Sequence, residues 1–143
     1  MKKSLVFDFA HAPGHLIRRA QQIAVAEFTR ATVDHDVTPV QFAFMHAMLQ
    51  TPGVDQITLA KQVAFDAATS GSVIGRLEAK GWVRRESDTD DRRRKLLWIT
   101  PAGAQVARSL KRAATRAQQR ILEGLDPGER VQFVALLEKL AGT

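Results

Sequence analysis

Apolar residues along this chain recur at spacings of three and four in several separate segments, a pattern typical of helices with one buried side. The pattern predicts six helices, at about 13–33, 39–50, 56–63, 66–80, 101–125 and 127–141. It changes only between the fourth and fifth helices, where two short β-type runs, 82–86 and 96–99, flank a polar segment. The chain is therefore predicted to be mainly helical, with one hairpin.

Residues suited to helix capping stand at the predicted helix starts. A side-chain oxygen at such a position accepts a hydrogen bond from a backbone N–H that the first turn leaves unpaired. A proline at the first helical position costs nothing there, since its missing N–H has no partner to lose. The predicted caps are Thr38 before Pro39, Asp55, Asp66, Thr100 before Pro101, and Asp126 before Pro127.

The predicted hairpin carries consecutive arginines at its tip. The helix that begins at Asp66 and ends at Gly81 comes immediately before it, and the short helix at 56–63 is close enough to complete a helix-turn-helix pair. Helix pair, hairpin and basic tip together describe a winged helix-turn-helix, a module that binds duplex DNA. We therefore expect a mainly α fold with a small β-hairpin wing.

The last predicted helix is apolar around more than half of its circumference. Such a helix needs burial in more than one direction, and a small domain cannot cover it together with the first and fifth helices. We expect the N- and C-terminal helices to form the seam of a homodimer. One compact unit then comprises an N-terminal arm and dimerisation helix (1–37), a winged domain (38–100) and C-terminal dimerisation helices (101–143).

Composition narrows the function further. The 143 residues are 45% hydrophobic, carry a net charge of +6 and contain no cysteine. The charge favours a polyanionic partner without choosing between DNA, RNA and an anionic membrane. The missing thiols exclude thiolate catalysis, thiol redox sensing and cysteine-based zinc sites. No apolar run is long enough to span a bilayer or to serve as a secretory signal, so we expect a soluble, cytoplasmic protein without membrane contact.

The sequence offers no enzymatic motif. It contains no glycine-rich phosphate loop, nucleophile elbow or isolated acid pair in an apolar setting. Its four histidines lack the tight spacing of metal ligands. We therefore expect neither catalysis nor a bound metal or cofactor.

The fourth helix supplies the expected contacts with the major groove. Val73, Ile74 and Leu77 are predicted to face inward. Small residues at the helix start allow close approach to the groove floor, and hydroxyls can bond to bases or phosphates. The predicted DNA-binding set on this helix is Ala67, Ala68, Thr69, Ser70, Ser72 and Arg76.

The hairpin tip is expected to divide its charges between two tasks. One aspartate, for which Asp91 is the first choice, pairs with a neighbouring arginine and fixes its direction. A remaining arginine enters the minor groove, where narrow A/T tracts concentrate negative potential. Arg84 and Arg85 at the hairpin base can meet phosphates. The predicted set is Arg84, Arg85, Asp91, Arg92, Arg93 and Arg94, and the choice of groove residue between Arg92 and Arg93 stays open.

The run from Arg76 to Arg85, followed by Asp91-Arg92-Arg93 and then by 97–103, resembles the MarR family, the multiple antibiotic resistance regulators. The similarity extends to helix order over about 13–141. It implies a dimeric winged-helix repressor that binds an inverted-repeat operator. Ser70 stands where the family usually has an apolar core residue, and Ser72 where a longer polar side chain is common. Base contacts are thus expected to be fewer, and the wing to carry more of the specificity.

The resemblance also implies a small anionic aromatic effector, bound between the dimer helices and the winged domain. A carboxylate needs a guanidinium or imidazolium, and an aromatic ring needs Phe or Met walls. The candidate residues are His15, Arg18, Arg19, Phe42, Met45 and His46. We expect a benzoate- or nicotinate-type acid to weaken operator binding. The alternative is an architectural or protein-interaction module without an effector.

The fifth helix carries a series of cations, Arg108, Lys111, Arg112, Arg116 and Arg120, with no acid before Glu123. Two interpretations stay open for it. It can flank the DNA and contact phosphates, or it can be the solvated side of a dimer-forming helix that attracts the polyanion at long range.

Overall fold

A computed structural model describes residues 7–143 and confirms the mainly helical fold with a small wing. A short 3-10 helix at Phe9–His11 lies in the predicted N-terminal arm, of which residues 1–6 lie outside the described part of the chain. The elements, in chain order, are α1 Pro13–Ala31, α2 Pro39–Gln50, β1 Val54–Asp55, α3 Gln56–Gln62, α4 Ala67–Ala79, β2 Val83–Ser87, β3 Lys95–Ile99, α5 Pro101–Ile121 and α6 Pro127–Ala141.

The predicted caps form the helix starts. Thr38 and Gln41 make a reciprocal capping box at α2, and Asp126 and Glu129 make another at α6. The side chains of Asp55, Asp66 and Thr100 each accept a hydrogen bond from the backbone N–H three residues later. Local hydrogen-bond chemistry thus sets where five of the six helices begin.

The wing is the antiparallel hairpin of β2 and β3, in which Val83 pairs with Ile99 and Ser87 with Lys95. Strand β2 lies one residue later than the predicted 82–86, and β3 begins one residue earlier than the predicted 96–99. A third, unpredicted strand joins the sheet: β1 pairs with β3, with Val54 opposite Leu97 and Asp55 opposite Leu96. The strand order is β1-β3-β2. The wing is therefore joined by backbone hydrogen bonds to the segment that starts α3.

The main core lies within the winged domain and includes Ala107 from the first turns of α5. The predicted inward residues Ile74 and Leu77 are fully buried in it. Its other large members are Phe44, Met45, Met48, Leu59 and Leu97. A smaller cluster joins Phe28 of α1 to Ala114 and Ala117 of α5. Together these clusters fix the orientation of α4 and the wing relative to the long helices.

The start of α5 packs tightly against the entry to the wing. A Cβ atom on Gly103 would lie 2.2 Å from the backbone oxygen of Trp82, so only glycine fits there. The Thr100 hydroxyl donates to the oxygen of Gly81 at 2.7 Å. Each tryptophan of the wing region lies beside a cation. Lys80 Nζ is 4.6 Å from the ring centre of Trp82, and the Arg84 guanidinium carbon is 5.9 Å from that of Trp98.

The apolar face of α6 lies open in the single chain. Val131 is 73% exposed and Leu140 71% exposed, and α6 has no buried residue. An apolar cleft of about 310 Å³ lies between α6, the end of α5 and α1, with Leu16, Ile17 and Leu137 in its walls. The excess apolar surface that the sequence predicted is therefore present, at the two ends of the chain. Along residues 7–143, no helix has the length and hydropathy needed to cross a membrane.

Candidate DNA-binding surface

The outer side of α4 presents small and hydroxyl-bearing residues to solvent. Ala67, Ala68, Thr69, Ser72 and Arg76 are all exposed. The N–H and hydroxyl of Thr69 donate to the Asp66 carboxylate at 2.7 and 2.9 Å. These bonds hold the pKa of Asp66 below its ordinary value, the backbone N–H having the larger effect. The cap keeps the first turn of α4 regular where it is most accessible.

Ser70 does not belong to this surface. Its side chain is 0% exposed, and its hydroxyl has no hydrogen-bond partner within the described part of the chain. The reason is helical geometry, because Ser70 lies four residues before Ile74 and seven before Leu77, on the buried side of α4. The prediction that Ser70 contacts DNA is therefore wrong. Ser70 instead occupies the core position at which, by the resemblance described above, an apolar residue is usual.

The wing tip is a compact loop organised by its aspartates. Asp88 Oδ1 accepts from the N–H of Asp90 at 3.0 Å, and Asp91 Oδ1 accepts from the N–H of Arg93 at 3.1 Å. The N–H of Arg94 donates to the oxygen of Asp91 at 2.9 Å. Asp91 thus shapes the backbone of the loop. Across residues 7–143 it forms no ion pair with an arginine, which corrects that prediction.

The arginine that is held in place is Arg94. Its Nη2 donates to Asp55 Oδ2 at 3.1 Å, and its Nη1 lies 3.5 Å from Asp88 Oδ2. Asp55 caps α3, so this bridge ties the wing tip to the start of a helix. Hydrogen bonds from the Thr58 hydroxyl and N–H, with a smaller effect of Arg94, lower the pKa of Asp55 from 3.8 to about 2. We call Asp55, Asp88 and Arg94 the wing clamp.

Two wing arginines remain available for a ligand. Arg92 and Arg93 are exposed, and neither forms an ion pair with any residue in 7–143. Of the other predicted contacts, Arg84 pairs with Glu86, and Arg85 Nη2 lies 2.8 Å from Glu78 Oε1. Arg84 and Arg85 at the hairpin base and Arg94 at the tip are thus paired with carboxylates, whereas Arg92 and Arg93 are not paired with any carboxylate of the described residues.

One cleft joins the wing to the helix pair. It has a volume of about 330 Å³, and its walls include Ile57 of α3, Ala67 of α4, Arg85 of β2, and Arg93 and Lys95 at the tip and start of β3. The first residue of α4 and a free wing arginine therefore border the same space. An elongated polyanion lying along this side can contact α4 and the wing together.

The candidate effector residues do not form one group within a chain. The His15 ring packs at a tilt against Phe9 with ring centres 4.5 Å apart, and Arg18 Nη2 lies 3.3 Å from His15 Nδ1. Phe42 packs instead on Phe28 at 5.7 Å. Ten helical residues, roughly 15 Å, separate Arg18 from Phe28.

The remaining candidates divide between the core and the surface. Met45 is 0% exposed within the core, so the prediction that it lines an accessible site is wrong for the single chain. His46 stacks on Phe42 with ring centres 5.9 Å apart and is exposed. Arg19 is exposed on α1. Along residues 7–143, no three His, Cys, Asp or Glu side chains group as metal ligands.

Comparison with known proteins identifies relatives that are transcriptional regulators. A model of the MarR family matches residues 35–94. The chain is 31% identical to the HTH-type transcriptional repressor NicR of Pseudomonas putida, over 94% of this chain and 85% of NicR.

Solved structures extend the match to nearly the whole chain. BpsR of Bordetella bronchiseptica, studied for the regulation of its DNA binding by 6-hydroxynicotinic acid, superposes with a TM-score of 0.90 at 33% identity, covering 96% of this chain and 99% of BpsR. PcaV of Streptomyces coelicolor in complex with its natural ligand gives 0.87 at 33% identity, covering 98% and 99%. The chain therefore belongs to the MarR family of winged-helix transcriptional regulators, which are DNA-binding proteins and not enzymes.

Proposed function

We propose that this protein is a homodimeric repressor that binds an inverted-repeat operator through α4 and the wing. The observation that carries the proposal is the shared cleft, which Ala67 of α4 and Arg93 of the wing both border. The exposed small residues of α4 enter the major groove, and Arg92 or Arg93 enters the adjacent minor groove. Such a regulator acts where the chromosome lies, which is the cytoplasm in bacteria such as those named above.

The dimer is supported by the apolar surface at the chain ends. Val131, Leu137 and Leu140 of α6 and Ile17 of α1 are all exposed in the single chain. A second copy that covers this surface removes it from water and pairs two winged domains. For binding to one face of DNA, the two α4 helices must then lie about 34 Å apart, one turn of the duplex. Changing that separation releases the operator.

Competition between DNA molecules tests the operator proposal. A labelled inverted repeat from the region upstream of the gene is first bound to the protein. Unlabelled DNA of the same sequence, or of random sequence, is then added at fixed salt, and displacement of the label is measured. We expect the specific sequence to compete at least about a thousandfold better. Equal competition would instead support an architectural module without sequence preference.

Single arginine substitutions test the role of the wing. Arg93→Ala is expected to weaken operator binding about tenfold, because one guanidinium leaves the minor groove. Arg120→Ala removes the same charge at the end of α5 that is farther from the wing and serves as the control. If Arg92→Ala causes the loss instead, Arg92 is the groove residue. If neither variant differs from the control, the wing does not enter the groove.

We also propose that an aromatic or heteroaromatic carboxylate is the effector. BpsR responds to 6-hydroxynicotinic acid, and this chain is similar to BpsR over nearly its whole length. His15 and Arg18 provide a cationic end, while Phe42 and His46 provide an aromatic wall. Because these halves lie roughly 15 Å apart along α1 of one chain, the site requires the second copy to bring them together.

Titration of the DNA complex tests this effector class. We expect 6-hydroxynicotinate or benzoate to release the operator, and cyclohexanecarboxylate to release it less well, since it lacks an aromatic face. Arg18→Gln should bind the operator normally and respond weakly to the acid, whereas Arg30→Gln, at the other end of α1, should respond normally. If no aromatic acid releases the operator, the effector proposal is wrong, whereas the DNA-binding proposal is unaffected.

A further inference from the structure

The exposed side of α5 carries a regular series of cations. Arg108, Arg112, Arg116 and Arg120 follow one another at intervals of four residues, so neighbours are about 6 Å apart along the helix. All four are exposed, and none forms an ion pair with any residue from 7 to 143. Like charges at this spacing repel and destabilise a helix slightly. A bound anion would offset that repulsion.

The series ends in a cleft at the corner between α5 and α6. The cleft has a volume of about 280 Å³ and is lined by Arg116, Gln119, Arg120, Glu123 and Arg130. We call these five residues the α5–α6 corner. Arg130 is half-buried, and its Nε donates to the oxygen of Leu125 at 2.8 Å. This bond holds one guanidinium at the edge of the cleft and leaves both its Nη atoms for a ligand.

We propose that the α5–α6 corner binds a small phosphorylated molecule. Three guanidinium groups against one carboxylate give the cleft a surplus of positive charge. Guanidinium forks match the geometry of phosphate oxygens and can bind them in pairs. The volume is near the lower end of the range for small-molecule sites, which suits one or two phosphate groups.

The corner is far from the surface proposed to bind DNA. The wing tip lies at 88–94, and the five residues of β3 lead back from it by roughly 16 Å. Arg116 lies fifteen residues, roughly 22 Å along α5, from Pro101, at the end of the helix that packs against the entry to the wing. Phosphates of a duplex held by α4 and the wing are therefore not expected to reach the corner. The structure favours a free phosphorylated compound over the operator backbone as the ligand.

Glu123 indicates what the rest of the ligand carries. A carboxylate in the wall repels a bare phosphate but accepts a hydrogen bond from a hydroxyl or amino group. Gln119 beside it can both donate and accept. We therefore expect a ligand that combines phosphate with a hydroxyl- or amino-bearing part, such as a sugar phosphate or a nucleotide.

Calorimetric titration of the purified protein with inorganic pyrophosphate tests the site, at constant ionic strength with sulfate as the comparison anion. We expect the Arg116→Gln/Arg120→Gln variant to bind pyrophosphate about tenfold more weakly than wild type. The matched control, Arg108→Gln/Arg112→Gln, loses the same charge from the same helix outside the cleft and should stay within about twofold. Glu123→Gln should bind pyrophosphate more tightly, because it removes the repelling charge.

Three results would overturn the proposal. The first is absence of pyrophosphate binding by the wild-type protein, or binding no tighter than that of sulfate. The second is an equal loss in the two double variants, which would mean diffuse attraction by the whole helix. The third is a larger loss of operator affinity in the corner variant than in its control, which would assign the phosphates to DNA.

Discussion

Replacing Asp55 by asparagine should weaken operator binding, although it removes a negative charge from a DNA-binding protein. Asparagine caps a helix about as well as aspartate, so the hydrogen bond from the Thr58 N–H is retained. What the substitution removes is the charged partner of Arg94 in the wing clamp. The wing tip then loses its charged side-chain link to α3, although the backbone pairing of β1 with β3 remains. We expect Arg92 and Arg93 to be held less firmly as a result.

The size of the effect on folding follows from the pKa of Asp55. A pKa of about 2 in place of 3.8 corresponds to at most about 2.4 kcal/mol of stabilisation of the charged form. Most of it comes from Thr58, and the side chain of Arg94 is 54% exposed. Solvent screening therefore reduces the share of the ion pair to about 0.5–1 kcal/mol. We expect Asp55→Asn to lower the free energy of unfolding by about 1 kcal/mol.

Asp66→Asn is the matched control. Asp66 caps α4 with the same pair of bonds from Thr69, but no arginine within residues 7–143 pairs with it. Urea unfolding should show a smaller loss for Asp66→Asn than for Asp55→Asn. In mobility-shift titrations at fixed salt, Asp55→Asn should bind the operator about tenfold more weakly, and Asp66→Asn as well as wild type or better.

The sign of the DNA effect decides whether the clamp matters. General electrostatics alone predicts that removal of either carboxylate strengthens DNA binding, because the protein becomes more cationic. If Asp55 holds the wing in place, Asp55→Asn loses operator affinity and Asp66→Asn does not. If Asp55→Asn binds the operator as tightly as Asp66→Asn, the reasoning about the clamp is refuted.

Further predictions concern the fold, the dimer and acid stability. Gly103→Ala should destabilise the protein by about 1–3 kcal/mol in urea unfolding, because its Cβ meets the Trp82 oxygen at 2.2 Å. Gly75→Ala, in an α4 position with nothing within 4 Å, should stabilise it by up to about 1 kcal/mol, and equal effects would contradict this packing. Leu137→Asp should shift sedimentation towards the monomer and weaken operator binding as a consequence; an unchanged dimer would place the seam elsewhere. Since the pKa of Asp55 is lowered on folding, its contribution is present above pH 3.8 and disappears as the pH falls towards 2, so the wild-type advantage over Asp55→Asn should vanish in acid.

The parts of the fold that sequence predicted are those determined by neighbouring residues. Helix caps and helix periodicity depend on contacts three or four positions away, so Thr38, Asp66 and Asp126 could be assigned to their roles without a structure. The hairpin was predictable for the same reason. The two-residue strand β1 was not, because it is too short to show alternation and pairs with β3 some forty positions later.

In the candidate site, too, features set by neighbouring residues could be predicted and features set by distant contacts could not. The free arginines at the wing tip were visible in the sequence, but the partner of Arg94 was not, since Asp55 lies 39 residues away. Asp91 was the expected partner because it is adjacent, and proximity in sequence proved a poor guide to side-chain pairing. Ser70 could have been excluded by the helical spacing that buries Ile74 and Leu77. The burial of Met45 depends on how α2 packs in the core, which no local pattern reveals.

The placement of the tryptophans gives the protein a built-in optical reporter. The chain has two tryptophans and no tyrosine, and both tryptophans lie at the wing, each beside a cation. Intrinsic fluorescence therefore originates almost entirely from the hairpin and its entry turn. A change in emission when DNA is added would report a change in the surroundings of these two indoles at the wing, without any attached label.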